Sequence, residues 1–310
     1  MAATLPTPPP PHVRAAFGLP GATATALPGG QGLSWLVTPP AAAVGSDGPP
    51  APLVLKPVAD ELQAEEVIWL AEALAPLTSA RAAPAGLRLP RDIRAAAAGP
   101  ERRWVVDGWR ASTWVPGDAG PEGRWTELLA GARAFTTAVA HLPRPPFLDR
   151  RGGPWADADR AAWDEQPLPV HPDQDALVTH LRRLAGRGPR SGRPSQLVHG
   201  DLTGNVLFCD GLPPAVIDLS PYWRPAAYAG AVVVADALLW WDQGPHLLAA
   251  AGDSGAVDLV ARALLFRLLT DVELLRRPDG PAALPAADAA RYGRAAGLLE
   301  LPWTPETASG

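Results

Sequence analysis

The sequence predicts an α+β fold in two lobes, a small sheet-rich lobe followed by a larger helical one. Short β-prone runs crowd the first 117 residues around one amphipathic helix, and helical periodicity dominates the remainder. Pro116-Gly117 is the natural hinge between the two. With 310 residues and 47% hydrophobic content, the chain can bury a full core in one large domain or two ordinary lobes. The expected division is 1–19 as a flexible leader, 20–117 as the first lobe and 118–310 as the second.

The elements follow in order. Residues 1–12 are proline-rich and read as a loose leader. Thr23 to Leu27 and Leu33 to Thr38 are β-prone and are separated by Pro28-Gly29-Gly30-Gln31-Gly32. A Pro/Ala/Gly stretch, 39–51, leads to a strand within Pro52 to Val58. From Ala59 to Leu77, the spacing of Leu62, Val67, Ile68, Leu70, Leu74 and Leu77 suits a helix, and Asp60 and Glu61 favour its N-terminal end. Trp104 to Asp107 and Trp109 to Val115 are two more strand candidates, flanking Gly108. Helices are expected at about 124–141, 173–187, 229–242, 253–277 and 285–298. Between them, the apolar runs 205–208 and 214–217 flank Asp210-Gly211, a hairpin signal. The segment 143–172 is too long for an idle connection and reads as a lid or a packed excursion.

Composition narrows the function class. A net charge of -5 gives no support for a nucleic-acid partner. The arginine-rich stretch Arg182 to Arg193 is read as a solvated helix end and loop. Cys209 stands alone, which excludes an internal disulfide framework and fits a reducing interior. No run approaches 18 apolar residues, so no membrane span is expected. The N-terminus lacks the pattern of a secretion signal, and a cytoplasmic location is expected.

Of 27 basic residues only Lys56 is a lysine, and it sits in an apolar run that reads as a strand. At such an arginine bias one leftover lysine can arise by chance, but a compact ammonium also fits between phosphate oxygens where a planar guanidinium fits badly. Phosphoryl transfer needs a glycine loop over the phosphates, a strand lysine, carboxylate and amide ligands for magnesium, and an aspartate beside the acceptor hydroxyl. The chain offers these in order. Gly29, Gly30 and Gly32 allow close backbone approach, Lys56 follows, and Glu66 on the next helix can pair with it, with Glu65 the alternative. His199-Gly200-Asp201 and Asn205 come next, then Asp218 at the end of the apolar run Ala215-Val216-Ile217. A carboxylate there is costly unless capped, paired or metal-bound. His199 reads as an organiser of the loop backbone.

His-Gly-Asp followed by Asn and then Val-Ile-Asp resembles the aminoglycoside phosphotransferase-like branch of the protein-kinase-like superfamily. The chain is similar, over roughly 20–305, to an actinobacterial group of that branch in which Leu-Pro-Gly-Gly-Gln-Gly and Asp-Leu-Ser-Pro-Tyr-Trp-Arg-Pro recur. The resemblance implies a bilobal protein-kinase-like fold, with a small antiparallel-sheet lobe and a larger helical lobe. It also implies ATP or GTP in a cleft, Mg2+ at the phosphates and a small-molecule hydroxyl acceptor. By position, Asp201 becomes the base or orienter of the acceptor hydroxyl, Asn205 and Asp218 the magnesium ligands, and Lys56 the phosphate contact paired with Glu66. The backbone of Thr113, Trp114 and Val115 would meet the nucleobase, and Asp236 resembles the helical aspartate that supports the catalytic loop.

The sequence departs from the family pattern at one place. Only Leu202, Thr203 and Gly204 separate Asp201 from Asn205, where the usual pattern has four residues. Gly204 can absorb the change through a backbone angle closed to other residues. The shortened loop also motivates an alternative, a catalytically impaired nucleotide-binding pseudokinase that serves as a regulator or as a scaffold for a protein partner. Trp155, Trp163 and Trp223 are the tryptophans placed where an acceptor would lie. Asp157, Asp159, Asp164 and Glu165 would either face a cationic acceptor or form a solvated charged face.

Overall fold

The structure, a computed structural model, describes residues 7–28, 33–40, 51–78, 86–96, 104–170, 172–188, 192–276 and 284–301. It is a bilobal α+β fold, with a smaller sheet-bearing unit and a larger helical one. The first unit takes the described residues up to Asp118, together with 145–147 and 207–217. The linear division had placed that last segment in the second lobe.

The chain opens with α1 (Pro11–Ala16), β1 (Thr23–Ala26), β2 (Trp35–Thr38), β3 (Leu53–Pro57), α2 (Glu61–Leu74) and β4 (Trp109–Thr113). The four strands form one antiparallel sheet in sequence order. Alternation puts Leu53 and Leu55 of β3 into the core, with Val37 and Ala111, and leaves Lys56 on the other face. Within 1–19, expected as a flexible leader, the described residues include a helix. Pro11 starts a helix, where its missing N–H costs nothing, and Val13, Phe17 and Leu19 are buried in the sheet's core cluster. The first six residues of the leader, and Gly29, Gly30 and Gly32, lie outside the described residues.

Helix α2 begins at Asp60, whose carboxylate accepts from the Gln63 N–H at 2.8 Å, while Gln63 Oε1 accepts from the Ala59 N–H at 2.6 Å. It buries Val67, Leu70, Ala71 and Leu74 and tightens into one 3-10 turn over Ala75–Thr78. The strand expected at Trp104 to Asp107 shrinks to a single bridge between Val106 and Trp109, because Asp107-Gly108 folds the chain back at once.

The remaining elements are β5 (Asp118–Ala119), α3 (Trp125–Ala138), α4 (Pro154–Ala162), α5 (Pro172–Ala185), β6 (Ser195–His199), β7 (Val206–Cys209), β8 (Leu212–Val216), β9 (Pro221–Pro225), α6 (Tyr228–Trp240), α7 (His246–Ala250), α8 (Val257–Leu275) and α9 (Ala286–Leu298). β7 and β8 form the expected hairpin around Asp210-Gly211, in a three-stranded sheet ordered β5-β7-β8. Arg88 binds β8 through its backbone, donating to Pro214 O at 2.9 Å and accepting from Val216 N at 3.0 Å.

In the second unit α6 is buried from Tyr228 to Leu239 and apolar on every side but one, as befits a core helix. α8 packs against α4, α5, α6 and α9. Ala156, Ala158, Ala161 and Ala162 of α4 are buried, and their small side chains allow its close approach to α8. Within the 143–172 segment it is α4 that packs on this helix. β6 pairs with β9, an antiparallel ribbon from Ser195↔Pro225 to His199↔Pro221. The two prolines of β9 conceal it in the sequence, yet both lie at its ends, where a missing N–H is tolerated. Among the described residues no helix is long and apolar enough to cross a membrane.

Candidate active site

The loop after β6 brings His199, Asp201 and Asn205 together. His199 is fully buried, packs edge-on to Phe135 with centroids 6.1 Å apart, and accepts the Asp201 N–H at Nδ1 over 3.0 Å. It is therefore an organiser of the loop. Gly200 has no room for a side chain, since a Cβ there would run into the Tyr222 ring. The chain then makes a turn closed by the Asn205 N–H on Leu202 O at 2.9 Å, with Gly204 third in the turn at φ +87°. A positive angle at that place is the type II requirement for glycine. The turn accommodates the three-residue spacing and keeps Asn205 beside Asp201: its Nδ2 donates to Asp201 O at 2.7 Å and to Asp201 Oδ2 at 3.2 Å.

The other oxygen of Asp201 is held from far away in the chain. Arg267 on α8 donates from Nη2 to Asp201 Oδ1 at 2.9 Å, and grips Asp236 with Nε and Nη2 at 2.7 and 2.8 Å. Asp236 is the polar exception on α6 and is 1% exposed. Burial works against the guanidinium charge, but the carboxylates of Asp236 and Asp201 outweigh it, and Arg267 is held above its ordinary pKa. The family resemblance tied Asp236 to the loop, while Arg267 was missed. The signal was an arginine inside Leu264-Leu265-Phe266-Arg267-Leu268-Leu269, where a charge needs a partner.

Asp218 differs from its expected setting. β8 ends at Val216, and Asp218 is exposed beyond it, so the cost of burying a carboxylate does not apply. Its mark is the backbone, at φ +49° in the left-handed region, which aspartate enters more readily than most residues. Asp107, Asp164 and Asp242 share this feature, so it is not peculiar to the site. Among the described residues no group of three or more His, Cys, Asp or Glu could cage a metal by itself. Magnesium takes one or two protein oxygens and completes its shell with phosphates and water, so an amide and a carboxylate oxygen would be donors enough for it. Asn205 suits the role, because tying its Nδ2 to Asp201 commits the nitrogen and leaves Oδ1 as an acceptor.

In the first unit Lys56 stands on β3 opposite Arg110 of β4. On α2, Glu66 is half-buried and Glu65 exposed, which favours Glu66 as the inward carboxylate. At the end of β4 the Thr113 N–H donates to Arg91 O at 2.9 Å and the Trp114 N–H to Pro52 O at 3.2 Å. Trp114 is 43% exposed.

The acidic residues of the excursion are engaged. Asp159 is buried and takes Arg224 in a bidentate pair at 3.2 and 2.6 Å, and Glu165 holds the same guanidinium. Asp157 pairs with Arg160 at 2.6 Å and Asp164 with Arg262 at 3.2 Å. Trp163 packs against Tyr228 at 5.1 Å and has Arg224 and Arg262 at 5.0 and 4.7 Å from its ring. It is a packing residue. Of the other two tryptophans, Trp155 is exposed and Trp223 lies half-buried on β9. The arginine-rich stretch is also tied down in part, by Arg183–Glu300 and Arg193–Asp258 pairs, each at 2.5 Å.

Solved structures of other proteins share this fold. An aminoglycoside phosphotransferase from Alicyclobacillus acidocaldarius aligns at a TM-score of 0.56 and 14% identity, covering 96% of each chain. A putative fructosamine-3-kinase from Thermobifida fusca aligns at 0.53 and 18%, covering 94% of this chain and 98% of that one. The choline kinase of Streptococcus pneumoniae aligns at 0.51 and 11%, covering 89% and 92%. At these identities the likeness is one of fold. No curated protein matches by sequence. Residues 29–222, more than half of the chain, match the family described as "Phosphotransferase enzyme family". The chain belongs to that family.

Proposed function

We propose that the protein is an ATP- and magnesium-dependent phosphotransferase that moves the γ-phosphoryl group to a hydroxyl of a small molecule, with GTP able to take the same place. The observation that carries this reading is the fixing of Asp201, whose two carboxylate oxygens are held by Arg267 and Asn205. An acceptor hydroxyl hydrogen-bonded to Asp201 would have its oxygen aimed and its proton received. As the new oxygen–phosphorus bond forms, the bond from the γ-phosphorus to the β–γ bridging oxygen breaks. The nucleoside diphosphate leaves with that electron pair. Positioning and charge stabilisation supply most of the rate in such a reaction.

In this proposal Lys56 contacts the α- and β-phosphates with Glu66 steadying it; Gly29, Gly30 and Gly32, assigned to the phosphates from the sequence, lie outside the described residues. Asn205 and Asp218 hold Mg2+, which neutralises charge on the phosphate oxygens when bound. Thr113, Trp114 and Val115 meet the base. The similar structures are named for aminoglycoside, fructosamine and choline acceptors, and a hydroxylated metabolite is the class proposed here. The arginine pairing of Asp157, Asp159, Asp164 and Glu165 argues against a polycation read by those carboxylates. We place the reaction in the cytoplasm, where the lone thiol Cys209 stays reduced.

Calorimetric titration of ATP with and without magnesium, repeated on Asp218→Asn, tests the reading. Expected is binding that magnesium tightens in the parent and not in the variant, followed by phosphate release on prolonged incubation. Metal-dependent binding with no turnover on any hydroxylated acceptor would favour the pseudokinase. Metal-indifferent binding would remove Asp218 and Asn205 from the assignment.

A further inference from the structure

Arg267 lies on α8, outside the loop that carries Asp201, yet one guanidinium joins two carboxylates in unlike settings. Asp236 is buried inside an apolar helix, while the side chain of Asp201 is 45% exposed. A buried Arg–Asp pair is a poor stabilising device, because desolvating both charges offsets most of their attraction and an apolar pair of similar volume often does as well. The Arg267–Asp236 pair therefore needs another reason, and its geometry supplies one. With Nε and one edge of the fork committed to Asp236, Nη2 is delivered at a fixed place to Asp201 Oδ1. The rings of Phe266 and Trp240, centred 5.2 and 5.7 Å from the guanidinium carbon, flank it. Asn205 takes the second oxygen, and the carboxylate is left with one orientation.

We infer that Arg267 is a positioning residue for phosphoryl transfer: anchored on Asp236, it fixes the rotamer of Asp201 and through it the approach of the acceptor hydroxyl. The inference rests on the phosphotransferase reading above. A lysine cannot replace it, since a point charge on a shorter reach lacks the fork that serves two carboxylates at once.

The test is Arg267→Lys in the full chain, with ATP and magnesium as ligands and water as the acceptor. Affinity is measured by calorimetry and turnover by phosphate release per nucleotide-binding site. Expected is an affinity within about threefold of the parent, an unchanged KM for ATP, and a kcat lower by at least about tenfold. The double variant, Asp201→Asn with Arg267→Lys, should then lose no more than Asp201→Asn alone, because the two residues act as one unit. A purely structural role would lower the unfolding temperature and leave kcat per binding site at the parental value, and that result overturns the inference. So does a double variant whose losses multiply. Should Arg267→Lys not fold, the apolar pair Asp236→Leu with Arg267→Met keeps the core filled and must show the same fall in kcat. A parent chain with no magnesium-dependent turnover, on water or on any hydroxylated acceptor, defeats the phosphotransferase reading itself, and is told apart because the failure shows before any substitution.

Discussion

Asn205 turns its side-chain amide back onto Asp201, donating to the backbone carbonyl at 2.7 Å and to Oδ2 at 3.2 Å. The two candidate groups, one for the acceptor and one for the metal, are thus a single hydrogen-bonded unit. The tight turn at Gly204 makes that possible across the shortened spacing.

Gly204→Ala tests the turn. A Cβ at Gly204 meets nothing within 4 Å, so the cost is backbone strain alone, about 1–2 kcal/mol for an L-residue in the left-handed region. Chemical denaturation should show that loss, and magnesium–ATP affinity should fall several-fold as Asn205 swings away. Parental values for both would mean the turn does not set the position of Asn205.

Lys56→Ala and Lys56→Arg should each weaken magnesium–ATP binding while leaving the unfolding midpoint near the parent's. The second variant is the more informative, because it keeps the charge and changes its shape. Unchanged affinity and turnover in both would take Lys56 out of the site.

The Arg224 cluster separates buried from exposed ion pairs. Arg224→Met leaves the buried Asp159 uncompensated and should cost about 3–5 kcal/mol in urea unfolding. Adding Asp159→Leu should recover most of that loss. Glu165→Gln should cost about 1 kcal/mol or less, since Glu165 is 48% exposed. Equal losses for the Asp159 and Glu165 partners would contradict this partition.

Asp92 gives a pH signature. Burial raises its pKa, with Arg110 pulling the other way more weakly. At low pH Asp92 is protonated in both states and its contribution to stability is fully present. As pH rises past the ordinary carboxylate range, the unfolded chain releases the proton first and stability is lost. Asp92→Asn should therefore raise the unfolding midpoint at neutral pH, with the gain vanishing below about pH 3.5. A gain independent of pH would point to some cause other than charge burial.

Local chemistry made part of the molecule legible from its residues. Helix α2 announces itself through apolar spacing behind the Asp60 cap, and the β7–β8 hairpin through Asp210-Gly211. His199, Asp201 and Asn205 sit close in sequence, so their meeting required only a turn, and Gly204 marks it. Other elements carried misleading local signals. Pro221 and Pro225 argue against a strand unless one knows they fall at its ends, and α1 begins in a proline run that looks like a tail.

The amino-acid order alone determined the alternation of short strands and long helices and the grouping of His199, Asp201 and Asn205. Both depend on residues within a few positions of each other. Tertiary structure alone decided which of 26 arginines meets which carboxylate. Arg267 reaches Asp201 across 66 positions and Arg224 reaches Asp159 across 65. Such partners are chosen by helix packing, which makes a buried charge tolerable only where another chain segment brings the opposite charge within hydrogen-bond distance.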